Sequence, residues 1–267
     1  MSKRSAICEN WYQTLSGRSS LDHLDGLCAD MLSEIFGYYA IEMGLISEQH
    51  SLLQHSRITT GFTLLDNKDK YRVQSQFSQK ADFPSTLIAT TEQLPIATDS
   101  VDLVIASHIL ESSSDPHQVL REIDRVLVPE GHCILIGFNP FSISQFIPKV
   151  GQFIKTRLNH HNTYKIQSAT RVRDWFSLLG FEVVDMHYLG VRPAIENKRI
   201  FDALGWMERL GDYAGPVLGK MYVIHAKKQV VAMRPDKKVW RAPAVLSGGK
   251  VVLNNTAQKI RRQNFSN

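Results

Sequence analysis

Cysteine is scarce in this 267-residue chain: Cys8, Cys28 and Cys133 are the whole complement. An odd number without metal-ligand spacing argues against a disulfide framework and against a structural zinc site, and no metal is expected. Two of the three lie on apolar helix or strand faces, where thiols are structural. No apolar run reaches the roughly 18 residues that a membrane span requires. The opening residues, Met1-Ser2-Lys3-Arg4 followed by Ile7, Cys8 and Trp11, lack the apolar centre of a signal peptide, so the expected location is the cytoplasm. Acidic residues nearly vanish after residue 226. From Lys227 to Asn267 ten Lys or Arg stand against one acid, Asp236, which gives that segment +9 within a chain of net charge +5 and leaves −4 on the rest. With Pro235, Pro243, Gly248 and Gly249 and few apolar repeats, residues 229–267 are expected to form a disordered basic tail. The tail reads either as a solvated end or as a nucleic-acid contact, with little aromatic interleaving beyond Trp240 to support base stacking.

A hydrophobic content of 43% is that of a globular protein, and the length suits one substantial domain with extensions. The densest information lies in residues 92–141. Val101 to Ile109 is almost continuously apolar, as befits a strand buried on both faces, with Asp102 as the exception. Asp115-Pro116 is an N-cap followed by a first-turn proline. Val119, Leu120, Ile123, Val126 and Leu127 then repeat at helical spacing. Pro129 and Gly131 stop the helix, and His132 to Phe138 reads as the next buried strand. The unit is βαβ, with the right-handed crossover that twisted sheets impose.

These residues resemble the class I S-adenosylmethionine-dependent methyltransferases, specifically the methyltransferase type 11 domain, and within it the YafS-like branch. The likeness is carried by Leu94-Pro95-Ile96, Val101-Asp102, Ser107-His108-Ile109-Leu110-Glu111, Asp115-Pro116, Arg121-Glu122-Ile123-Asp124-Arg125-Val126-Leu127 and Pro129-Glu130-Gly131. It implies a Rossmann-like α/β fold: a seven-stranded sheet in the order 3-2-1-4-5-7-6 with strand 7 antiparallel. The expected organisation is an N-terminal helical cap over residues 1–35, a methyltransferase-like domain over 36–228 and the tail over 229–267. S-adenosyl-L-methionine is the implied cofactor and methyl transfer the implied activity. The acceptor is expected to be a small molecule, with nucleic acid as the alternative through the tail.

Around that centre the periodicities supply further elements. Ser20 is a plausible cap for a helix carrying Leu21, Leu24, Leu27, Cys28, Met31, Leu32 and Ile35 on one stripe, and a shorter helix around Glu9 to Leu15 precedes it. Ile58–Leu65, Ser85–Ala89, Phe181–Leu189 and Met221–Ala226 read as strands. Ser168 caps a helix with Val172, Trp175, Phe176 and Leu179 inward, closed by Gly180, and Arg199–Leu210 reads as another.

The resemblance also distributes roles. In the first strand and turn, Glu42 and Gly44 occupy the acid and first glycine of a Gly-x-Gly-x-Gly loop, while Ile46 and Glu48 occupy the other two glycine positions. A non-glycine residue held in a left-handed conformation costs roughly 1–2 kcal/mol, about ten-fold in affinity per site. The substitution of those glycines raises a second class of function, a catalytically silent methyltransferase-like binding protein. Asp66 stands 22 residues after Gly44, where the family places the acid that takes both ribose hydroxyls. A carboxylate can accept two such donors, though Asp66-Asn67-Lys68-Asp69 also reads as a polar turn. Thr90, Thr91 and Glu92 occupy the adenine edge, with Thr90 replacing the family's acid. Ser107 and His108 fall at the carboxyl end of the fourth strand, facing the methionine part of the cofactor and the acceptor. His108 is the candidate general base, imidazole being the side chain whose ordinary pKa lies near neutrality, or else a locally bonded packing residue. Glu111 and Asp115 orient the loop and cap the helix. The acceptor side is expected from Asn139-Pro140-Phe141 and an amphipathic segment through Leu158, either lid or core.

Overall fold

The computed structural model describes residues 11–44, 50–66, 85–142, 166–192 and 198–229. The cysteine Cys8, the glycine-position residues Ile46 and Glu48, the Ile143 to Leu158 segment, His160-His161 and the basic tail beyond Gln229 lie outside them. Seven strands form one sheet in the order β3-β2-β1-β4-β5-β7-β6. They are β1 (Tyr39–Gly44), β2 (Thr60–Asp66), β3 (Ser85–Ala89), β4 (Val101–Ser107), β5 (Leu127–Phe138), β6 (Phe181–Leu189) and β7 (Met221–Lys228). All neighbours among β1 to β5 are parallel, and β7 runs antiparallel to both β5 and β6.

Alternation along the buried strands builds two apolar layers. Leu103 and Ile105 of β4 join Ala40, Ile134, Ile136 and Val223 under the helix α1 (Leu15–Ser33), which contributes Leu24, Cys28 and Leu32. Val104 and Ala106 face the other way with Ile41, Leu135 and Ile224. There they meet α3 (Pro116–Val126), which follows the single turn α2 (Ile109–Ser112), and α4 (Ala169–Leu178).

Several caps stand where the sequence places them. The Asp115 carboxylate accepts from the N–H groups of His117 and Gln118 at 3.0 and 3.1 Å, and the Ser168 hydroxyl accepts from Arg171. Ser20 is different. The cap of α1 is Thr14, whose hydroxyl accepts from Gly17 N–H, and Ser20 lies inside the helix with its own hydroxyl donating to the Ser16 carbonyl. Burial of Ser16, Gly17 and Ser20 lets packing extend the helix through residues of modest propensity.

Two further expectations change. β5 begins at Leu127 rather than His132: Leu127 pairs with Val101, and the register then slips so that Leu103 pairs with His132. Glu130, with φ at +65°, makes the irregular turn between them. The single helix expected over Arg199–Leu210 is divided into α5 (Lys198–Ala203), a 3-10 segment (Gly205–Leu210) and α6 (Gly211–Leu218). Gly205 and Gly211 stand at the two breaks, where low helix propensity makes interruption cheap.

The motif residues that identify the sequence brace the sheet. The Asp102 carboxylate accepts the Tyr38 and Tyr39 N–H groups at 2.8 and 3.0 Å, fixing the start of β1. Arg125 donates to both carboxylate oxygens of Glu122 and to the carbonyls of Leu94 and Ile96, while Glu122 accepts from Leu94 N–H. The Leu94-Pro95-Ile96 turn is thereby clamped onto α3. The Arg125 guanidinium holds the Glu122 carboxyl below its ordinary range.

Candidate functional site

The carboxyl ends of β1, β2, β3 and β4 form one edge, and the candidate residues are distributed along it. Gly44 closes β1 and is registered with Ser107, the last residue of β4. Its φ is +105°, and a Cβ there would stand 1.9 Å from the Ser107 carbonyl oxygen. Glycine is therefore required both by conformation and by space. The Ser107 hydroxyl donates to the Met43 carbonyl at 3.2 Å and is fully buried. On the other side Asp66 ends β2, registered with Ala89 at the end of β3.

Glu42 precedes this edge. It is fully buried, and its carboxylate accepts from the Ser51 hydroxyl at 2.7 Å and from Leu52 N–H at 3.0 Å. Burial pushes its carboxyl above the ordinary range against those hydrogen bonds, which favour the charged form. These bonds tie β1 to the 3-10 turn Leu52–His55 across the connection that contains the glycine-position residues.

After β3, Thr90 and Gln93 form an isolated antiparallel bridge, with Thr91 and Glu92 at its turn. The Glu92 carboxylate accepts from the Ser113 hydroxyl and from both the N–H and the hydroxyl of Ser114, at 3.1 to 3.3 Å. Burial opposes its charge, but hydrogen bonds from its own backbone and from the two serines outweigh that cost and lower its pKa. Glu92 thus joins the Thr90–Gln93 turn to the loop that precedes α3.

His108 follows β4 and is the most unusual residue of the edge. It is fully buried and adopts a left-handed conformation with φ at +53° and ψ at +26°, secured by its N–H donating to the Ile136 carbonyl at 2.8 Å. A strained non-glycine residue persists where its surroundings fix it. Its ring stacks on Phe138 at 4.1 Å between centroids. Nε2 lies 2.5 Å from the Tyr12 hydroxyl, and Nδ1 lies 3.6 Å from a Glu111 oxygen that also accepts Phe138 N–H at 2.7 Å. Tyr12 lies, with Trp11, in helical backbone just ahead of the Gln13-Thr14 turn into α1, and packs edge-on to Trp11, which in turn meets Phe138. The phenol of Tyr222 is raised well above 10 by burial and then by the Glu111 charge.

Asn139 is engaged structurally as well. Its amide donates to the carbonyls of Pro216 and Gly219 at 2.9 and 2.8 Å, joining the end of β5 to the approach of β7, whereas Phe141 is exposed. Sequence reasoning did not find Tyr12 or Tyr222. The available signal for Tyr12 was its aromatic neighbour Trp11 and a position one turn ahead of the helix that crosses the sheet.

Among the described residues no group of three or more His, Cys, Asp or Glu could hold a metal ion, and no helix is long and apolar enough to cross a membrane. Residues 49–135 match a methyltransferase domain model, a span that begins after Gly44 and ends within β5. The chain is 31% identical over 169 residues to the Escherichia coli K12 protein YafS, described as uncharacterized, covering 61% of this chain and 63% of that one. It is 32% identical over 119 residues to the ubiquinone/menaquinone biosynthesis C-methyltransferase UbiE of Rubrivivax gelatinosus, covering 38% of this chain and 47% of that one. The match thus spans less than two thirds of either curated relative. Among solved structures, a SAM-dependent methyltransferase from Thermotoga maritima shares the fold with a TM-score of 0.53 at 16% identity, over 83% of this chain and 94% of that one. Sheet order and antiparallel β7 thus give the chain the fold of the solved class I S-adenosylmethionine-dependent methyltransferases, and residues 49–135 carry the likeness to a methyltransferase domain.

Proposed function

We propose that this chain binds S-adenosyl-L-methionine along the β1 to β4 edge and transfers its methyl group to a small-molecule acceptor. The observation that carries this reading is the alignment of Gly44, Asp66, Thr90-Thr91 and Ser107 at the carboxyl ends of four adjacent parallel strands. Ligands of open α/β sheets bind outside those ends. The donor set fits the group: a glycine backbone at the first strand, a carboxylate after the second, small hydroxyl residues after the third and a buried serine after the fourth. Asp66 would take the ribose hydroxyls, and Thr90 and Thr91 would stand against the adenine. Gly44 would give the backbone close access beside Ser107. Glu42 and Glu92, already bonded to Ser51 and Leu52 and to Ser113 and Ser114, hold the flanking turns in place.

The bound cofactor supplies an electrophilic methyl on a sulfonium centre. What the protein then contributes is mainly alignment and exclusion of water, and positioning alone accounts for much of the rate of a direct displacement.

Calorimetry with S-adenosylmethionine and S-adenosylhomocysteine tests the reading. Binding is expected, weakened in Asp66→Ala and Gly44→Val. Absence of binding at millimolar ligand would favour the silent, partner-binding alternative.

A further inference from the structure

We infer that Tyr12, His108 and Glu111 form a proton-accepting triad on the acceptor side of the edge, so that the acceptor is a nucleophile that must lose a proton: a hydroxyl, a thiol or a carbon acid. This rests on the methyl-transfer reading for its reaction and on independent geometry for its parts. The Tyr12 hydroxyl stands 2.5 Å from Nε2 of His108, and the opposite ring nitrogen points to the Glu111 carboxylate at 3.6 Å. That order of hydroxyl, imidazole and carboxylate is the general arrangement by which an oxygen is activated through a histidine held by an acid. Here the hydroxyl is phenolic and comes from the segment ahead of α1.

Burial makes the arrangement chemically effective. Tyr12 is 5% exposed, and the His108 and Glu111 side chains are 0% and 4% exposed. A proton released at this point passes to protein rather than to bulk water, and a carboxylate acts more strongly on an imidazolium in such surroundings. At 3.6 Å Glu111 is too distant for a full hydrogen bond and close enough for charge stabilisation. Two buried atoms retain capacity: His108 Nδ1 and the second Glu111 oxygen have no hydrogen-bond partner among the described residues. Most buried polar atoms are paired, so these two open positions, beside a residue held at φ +53°, leave room for Nδ1 to carry a hydrogen toward Glu111.

The step balances without a further reactant. The acceptor X–H bond breaks as X–CH3 forms and the sulfonium–methyl bond breaks. The acceptor's proton goes to the Tyr12 oxygen, and the Tyr12 proton goes to His108 Nε2, leaving an imidazolium opposite Glu111. His108 is then a positioning residue that acts through Tyr12. An acceptor nitrogen without a proton gains nothing from the triad.

The tautomer of His108 decides the matter, and it is read in the ligand-free protein by imidazole 15N NMR. The triad requires Nε2 unprotonated and Nδ1 protonated, with a far-downfield hydroxyl proton from Tyr12. In Tyr12→Phe that resonance should vanish and the Nδ1–H preference should weaken, while in Glu111→Gln the population should move toward Nε2–H. His108→Asn, which tolerates the left-handed backbone, should lose the resonance with the fold retained, guarding against a variant that merely unfolds. An Nε2–H tautomer in the native protein, or a downfield resonance that persists in Tyr12→Phe, overturns the triad. S-adenosylhomocysteine titration of Tyr12→Phe keeps the two readings distinct: unimpaired binding is expected, whereas absence of binding to the native protein removes the methyltransferase reading and leaves the tautomer result standing.

Discussion

Replacing Gly44 by alanine should damage this protein far more than the loss of two hydrogen atoms suggests. The new Cβ would sit 1.9 Å from the Ser107 carbonyl oxygen, which belongs to the neighbouring strand and cannot rotate away. The φ of +105° adds a penalty of roughly 1–2 kcal/mol for an L side chain. Forcing β1 and β4 apart adds about 1–3 kcal/mol by analogy with overpacked cores, for a total of about 2–5 kcal/mol. For a domain of this size that corresponds to a fall of roughly 4–20 °C in melting temperature. Gly26 supplies the control. It lies within α1, has an ordinary φ and has no atom within 4 Å of its added Cβ. Alanine there should instead stabilise by about 0.8–1 kcal/mol through helix propensity, or roughly 2–4 °C. Thermal melts and urea midpoints of the two variants beside the native protein make the comparison. Equal and small shifts for both would refute the account of the β1–β4 approach.

Other consequences follow from particular contacts. Burial and then the neighbouring His225 push His132 down to about 4, and the two rings are joined at 2.9 Å. The unfolded chain therefore takes up that proton near pH 6.5 and the folded one near 4, so this site's contribution to stability should fall as pH drops through that window. A His132 ring resonance titrating near 6.5 in the native protein would contradict it. Burial pushes the thiols of Cys28 and Cys133 up to about 12, so both should resist alkylation at pH 8 until the chain unfolds, as peptide mass mapping can check. Arg125→Met should destabilise by about 1–3 kcal/mol because Glu122 and two carbonyls lose their donor. Arg125→Met and Glu122→Gln should be non-additive in a double-mutant cycle, and strict additivity would show that the clamp contributes nothing as a unit.

Local order was plainly legible in the sequence. Asp115-Pro116 and Ser168 announce their helices because caps are short-range chemistry, and the bounds of β3 follow from a compact apolar run between polar segments. Sheet order came through the family resemblance. The edges of elements shifted where a side chain was captured by a neighbour: Thr14 displaced Ser20 as the cap, and Leu127 entered the sheet by pairing with Val101. The candidate site was legible in its backbone positions, since Gly44 and Ser107 both close strands. Its side-chain partners were not. Nothing local in the sequence announces that Tyr12 meets His108 across 96 positions, or that Glu42 is consumed by Ser51 and Leu52. Those contacts arise only when α1 and the 3-10 turn close on the sheet. The left-handed backbone of His108 was hidden for a similar reason, because histidine does not advertise such a conformation as glycine does.

The most direct test of the central claim is a backbone amide NMR titration of the protein with S-adenosylhomocysteine. Saturable shifts are expected at Gly44, Thr90 to Glu92, Ser107 and His108, along one continuous edge of the sheet. Absence of shifts at millimolar ligand, or shifts confined to the β6 side, would contradict it.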